Sequence, residues 1–172
     1  SQASPGIAAV SSLCLDLRET FHEMSKAVGM VRDKFRKLPF VIRPIAERDF
    51  RSEMGFEVAE WEEFLQRLAS RLGKIAEAAK AVSNGTGPKS TLSEAVTPFL
   101  DRAELAVEKI KTFQRYTAQS PAKLKNVPKM LISDEDRAQI EEASEYAPAI
   151  GEAADKLSML AAQLGRLLAG GA

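Results

Sequence analysis

Residues 10–38 read VSSLCLDLRETFHEMSKAVGMVRDKFRKL. Within them Val10, Cys14, Leu17, Phe21, Met24, Val28, Val31, Phe35 and Leu38 follow one another at alternating steps of four and three. That rhythm puts one apolar stripe along one face of a helix and matches the seam of a coiled coil. Nothing in the stretch alternates with the period of two that a strand needs. Pro39 then stops the helix. The fold follows from whether the rest of the chain repeats this pattern.

It does so three times. From about Phe56 to Ser83, Trp61, Leu65, Leu68, Leu72, Ile75, Ala79 and Val82 keep the same steps, and Asn84-Gly85 ends the run. A third segment opens with Thr91-Leu-Ser-Glu94, the spacing of a capping box, and carries Phe99, Ala103, Ala106, Ile110 and Phe113. Pro98 lies inside it, either as a kink or as the first helical residue behind Thr97. The fourth starts at Ser133-Asp-Glu-Asp136, where a Ser cap and acids suit the positive end of a helix dipole. Its stripe runs from Ile140 through Ala143, Ala147, Ile150, Ala154, Leu157, Ala161 and Leu164 to Leu168, with a bend expected at Pro148. Helices of about 30 residues are roughly 45 Å long. Four amphipathic helices of matched length predict one all-α domain over residues 1–172, an antiparallel up-down-up-down four-helix bundle. A short extra helix is expected around Ile45 to Met54, in the first connection.

Composition narrows the function. The chain has 172 residues, 45% hydrophobic and 28% charged, proportions ordinary for a soluble globular domain. Lys+Arg and Asp+Glu both number 24, and the resulting zero net charge argues against a dedicated nucleic-acid binder. No run of 18 apolar residues marks a membrane span. The single cysteine, Cys14, rules out an intrachain disulfide and leaves the redox compartment open. A cytoplasmic setting is the working expectation.

Catalytic and metal chemistry find few residues. His22 is the only histidine, and Glu19-Thr-Phe-His22 has the spacing of di-metal bundles, which need two such motifs facing inward. His22 falls one step off the stripe and Glu19 points away from it. Cys14 lies on the stripe as a small apolar residue. No Cys-His or Ser-His pair is easily assembled, and Gly85, Gly87, Pro88 and Lys89 do not match a phosphate loop. Glu57, Glu60, Glu62 and Glu63 suit the first turns of a helix better than a cation site. The expectation is a protein that is not an enzyme and holds no cofactor or metal. A histidine on the face of a helical bundle resembles the histidine phosphotransfer domains, which would make His22 a phosphorylation site. Their motif places Lys three residues after the His and then Gly, whereas here Lys26 comes at four and Gly29 at seven.

The two ends of such a bundle differ. The first connection carries Arg32, Lys34, Arg36, Lys37, Arg43, Arg48 and Arg51 beside Leu38, Phe40, Val41 and Ile42; the third carries Lys123, Lys125 and Lys129 beside Leu124, Val127, Met130, Leu131 and Ile132. In an up-down-up-down bundle both lie at one end. Arg36, Lys37, Phe40, Val41, Ile42, Lys123, Lys125 and Met130 are therefore the candidate partner-binding residues, for an acidic peptide or an anionic membrane surface. The alternative is that the basic residues complement helix C-termini, that the acidic helix starts Glu57 to Glu63 and Asp134 to Glu145 at the same end largely cancel their field, and that the apolar loop residues plug the core. At the other end, residues 1–15 lack charged side chains and residues 157–172 have only Arg166. Those terminal helices either bury against each other or offer an apolar patch for self-association or lipid. The function expected is a protein-interaction or scaffold domain, with a lipid-associating bundle as the alternative and a phosphotransfer domain third.

Overall fold

The computed structural model describes residues 5–170, which form helices α1 (Pro5–Arg36), α2 (Arg43–Met54), α3 (Val58–Ser83), α4 (Lys89–Leu124), α5 (Asp134–Ser144) and α6 (Ala147–Gly170). The described residues contain no strand. The opening stripe is the buried face of α1. Val10, Cys14, Leu17, Phe21, Met24 and Val28 are all buried, whereas Val31 and Phe35 are only partly so as the helix nears its end. The chain leaves α1 through tight turns in which Lys37 and Leu38 donate to the Lys34 and Phe35 carbonyls.

The ends of the elements have local causes. Pro44 lies in the first turn of α2, where its missing N–H has no partner to lose. Gly55 closes α2 at φ 79, a conformation costly for any side chain with a Cβ, and its N–H donates to the Arg51 carbonyl at 2.8 Å. Glu60 reaches back to the Glu57 N–H at 3.0 Å and fixes the start of α3. Asn84 and Gly85 end α3, and the N–H groups of Thr86 and Gly87 fold back onto the Ala81 carbonyl.

Two expectations are corrected here. The capping box at Thr91 does not form, because α4 starts at Lys89 behind an extended Pro88 and Thr91 lies inside its first turn. The helix then runs on through Pro98 and Pro121. The fourth segment is two helices, not one bent helix. Pro148 has no N–H for the Ser144 carbonyl and its ring crowds that position, so the chain turns at Glu145-Tyr146 and restarts with Pro148 in the first turn of α6. The change matters for packing: α5 buries no residue at all. Ile140 is half-buried and Ala143 exposed, so the stripe becomes a core face only from Ala147 onward.

One hydrophobic core joins α1, α2, α3, α4 and α6. The most extensive packing is of α1 on α3 and of α4 on α6, followed by α3 on α4, α5 on α4 and α1 on α6. Early α1 lies beside late α3, where the Ser11 hydroxyl donates to the Ala76 carbonyl at 3.2 Å. Late α1 lies beside early α3, where Arg32 grips both carboxylate oxygens of Glu62. Early α3 also meets the second half of α4, through Trp61 and Phe113 with ring centroids 5.6 Å apart. Of the described residues in the apolar terminal segments, Ile7, Val10, Cys14, Leu157, Leu160 and Leu164 enter this core, whereas Leu15 and Met159 are exposed. Leu160, although off the narrow stripe, is fully buried with Leu157 and Leu164, because α6 packs on both α4 and α1.

Candidate functional site

The end at which α1 finishes and α3 begins is built around α2. This short helix lies across α1, α3 and α4 and inserts Phe50 and Met54 into the core. Phe50 meets Phe35 of α1 edge to face at 5.8 Å and Tyr116 of α4 at 5.2 Å. Trp61, fully buried, makes similar contacts with Phe56 and Phe64. The ammonium of Lys109 stands 4.4 Å from the Phe56 ring centroid and 4.5 Å from that of Phe64. Partial burial pushes the Lys109 pKa down, with the nearby Arg102 adding to the effect.

Ion pairs bring the first and third connections to this same end. Lys34, in the last turn of α1, bonds Asp136 at 2.5 Å and Gln139 at 2.6 Å in α5. That hydrogen bond holds the Asp136 carboxyl below the usual carboxylate range. Lys123, at the end of α4, pairs with Glu53 and lies 3.9 Å from Asp49, both on α2, with the Tyr116 ring 4.9 Å away. Burial, and then the charge of Asp49, raise the Tyr116 phenol to about 12.

The candidate binding residues therefore divide. Arg36, Lys37 and Lys125 are exposed. Phe40 and Met130 are each 91% exposed and Val41 is 74% exposed, so none of them plugs the core. Ile42 is half-buried as the residue before α2. Lys123 is engaged within the chain by α2. The periodicity of α4 carries no sign of that pairing, which depends on where a different helix lies.

Arg137 is a residue that sequence reasoning missed. Its guanidinium donates to the Leu124 carbonyl and to the Val127 carbonyl, each at 2.7 Å. It thereby satisfies two carbonyls at the end of α4 and holds the start of the 125–133 connection. The available signal was chemical: Arg137 is the one basic residue in the acidic run 134–145.

The residues weighed for catalysis remain apart. His22 and Glu19 are exposed on α1, whereas Cys14 is buried and its thiol is pushed up to about 12 by desolvation. The acids of early α3 have local partners: Glu60 caps the helix, Glu62 holds Arg32 and Glu63 holds Arg67. Among the described residues no helix is long and apolar enough to cross a membrane.

The chain is thus an all-helical protein whose distinctive end combines exposed apolar loops with a dense set of charges. Comparison with protein-family models, with curated proteins and with solved structures found no match.

Proposed function

We propose that α1, α3, α4 and α6 form an antiparallel up-down-up-down bundle and that the chain is a non-enzymatic protein-interaction or scaffold domain. Its docking surface is the end carrying Arg36, Lys37, Phe40, Val41, Ile42, Lys125 and Met130. The topology is supported by the way early α1 meets late α3 and late α1 meets early α3. The observation that carries the function is the exposure of Phe40, Val41 and Met130 beside basic side chains. Large apolar residues held out of a well-formed core favour a partner with apolar side chains flanked by acids. The test combines light scattering with capture from native lysate, comparing the wild type with a variant carrying Phe40→Ser, Val41→Ser and Met130→Ser. Loss of a captured partner at unchanged melting temperature supports the reading. Equal capture by both proteins removes it.

A second reading has an observation of its own. Phe40 and Val41 are flanked by Arg36, Lys37 and Arg43, a combination that also suits an anionic membrane surface. Co-sedimentation with liposomes, with and without anionic lipid, separates the two. Absence of binding in both cases removes the membrane reading.

A further inference from the structure

Next to the apolar loops, on the side where α2 faces late α1 and early α3, lies a cleft of about 440 Å³. Five arginines line it: Arg32 and Arg36 from α1, and Arg43, Arg48 and Arg51 from α2. Glu47 and Glu57 are the only acids in its lining, which leaves a net charge of +3 from five guanidinium groups and two carboxylates. Phe35, Pro44 and Val58 supply apolar wall.

The spacing in α2 creates this concentration. Arg43, Glu47 and Arg51 recur at every fourth residue, as do Pro44 and Arg48 on the adjoining row, so both rows share a face. Three of the arginines are partly neutralised: Arg32 by Glu62, Arg43 by Glu47 at 2.8 Å and Arg51 by Glu57 at 3.6 Å. Arg36 and Arg48 make no ion pair with any described residue. They come from different helices and line the same cleft. Val58 and Ala59, at the start of α3, also line it, although the Glu57 carboxylate already caps that helix end together with Glu60.

We propose that this cleft is a binding site for a phosphomonoester group. A guanidinium offers parallel N–H donors in a fixed fork that matches phosphate or carboxylate geometry. One fork is enough for a carboxylate. Two unpaired forks from different helices match a doubly charged group with three terminal oxygens. The volume suits a small organic phosphate or a phosphorylated side chain. The site shares Arg36 with the proposed docking surface but not Phe40, Val41 or Met130, so binding of a small phosphate tests it separately from that reading.

The experiment is calorimetric titration of the full chain, at fixed ionic strength, with phenyl phosphate, benzoate and a short phosphoserine peptide. Phenyl phosphate is expected to bind at one saturable site at least about tenfold tighter than benzoate, because it offers more charge-assisted hydrogen bonds. Arg36→Gln and Arg48→Gln are each expected to weaken that binding by about tenfold or more. Arg67→Gln, an exposed arginine of α3 outside the cleft lining, leaves it unchanged. Circular dichroism of each variant confirms that the helices are intact. A peptide tighter than phenyl phosphate assigns the phosphoryl group to a protein side chain; equal affinities assign it to a free small molecule. Absence of saturable binding overturns the proposal. So does equal binding of benzoate, or binding indifferent to both Arg36→Gln and Arg48→Gln.

Discussion

The indole N–H of Trp61 donates to the backbone carbonyl of Met54 at 3.0 Å, in the interior of the protein. This bond ties the last residue of α2 to the first turn of α3, across the left-handed Gly55. It also satisfies a carbonyl at a helix end that would otherwise be buried without a partner. Trp61→Phe keeps an aromatic ring but removes the donor and some volume. The expected loss is about 2–4 kcal/mol, read from the urea midpoint at unchanged slope. A loss below about 0.5 kcal/mol would mean that α2 is held by its other contacts alone.

The exposed loop residues should behave in the opposite way. Phe40→Ser and Met130→Ser remove large apolar side chains that are almost wholly in water. Each is expected to change stability by less than about 0.5 kcal/mol. A drop in melting temperature comparable to that of a core variant would show that these side chains pack against the protein in solution.

Alkaline pH should weaken the fold. Cys14 and Tyr116 are both raised to about 12, from ordinary values of 9.0 and 10.0. Between pH 9 and 12 the unfolded chain loses these protons while the folded chain keeps them. Their contribution is therefore fully present below pH 9 and falls as pH rises toward 12. Cys14→Val should give a shallower decline than the wild type across that window, measured by denaturant unfolding at successive pH values. Identical declines would remove Cys14 from the account.

Arg137 should act locally. Arg137→Ala removes the charged donor shared by the Leu124 and Val127 carbonyls, leaving Leu124 only the Val127 N–H, and loosens the connection that contains Lys125 and Lys129. Trypsin cleavage at those lysines is expected to speed up by about tenfold, the effect of losing one or two charge-assisted hydrogen bonds, at nearly constant global midpoint. Arg137→Lys should rescue it only partly, since an ammonium lacks the planar fork that reaches both carbonyls.

Acid should loosen the tie between α1 and α5. The Asp136 carboxyl titrates below its ordinary range, so the stabilisation from Lys34 is present above that range and lost as pH falls through the depressed value. Asp136→Asn should reproduce the acid effect at neutral pH. Amide exchange within α5 would report both, and unchanged exchange in the variant would count against the link.

Much of this architecture could be read from spacing. The stripe from Val10 to Val28 and that from Trp61 to Ala79 are buried faces because each is a continuous 4-3 repeat with a clean stop. The fourth segment misled because its repeat continues through Ile140 and Ala143, although α5 packs chiefly on α4 and leaves Ile140 half-buried and Ala143 exposed. Periodicity reports a face, not what covers it. Candidate contacts at the end of the protein were legible in type, as basic and apolar residues beside prolines. The inward pairing of Lys123, the clamp of Arg137 and the clustering of Arg36 with Arg48 depend on where α2 and α5 lie, which no local pattern encodes.

Because α5 contributes no fully buried residue, its detachment from α4 would expose less apolar surface than the loss of any of the long helices, chiefly at the half-buried Ile140. Such an opening carries a smaller heat-capacity change and a weaker urea dependence than unfolding of the whole chain. Salt, which weakens the Lys34–Asp136 pair, should accelerate it instead. The protein thus has two separate sensitivities: denaturant acts on its core, and ionic strength acts on the acidic helix at its basic end.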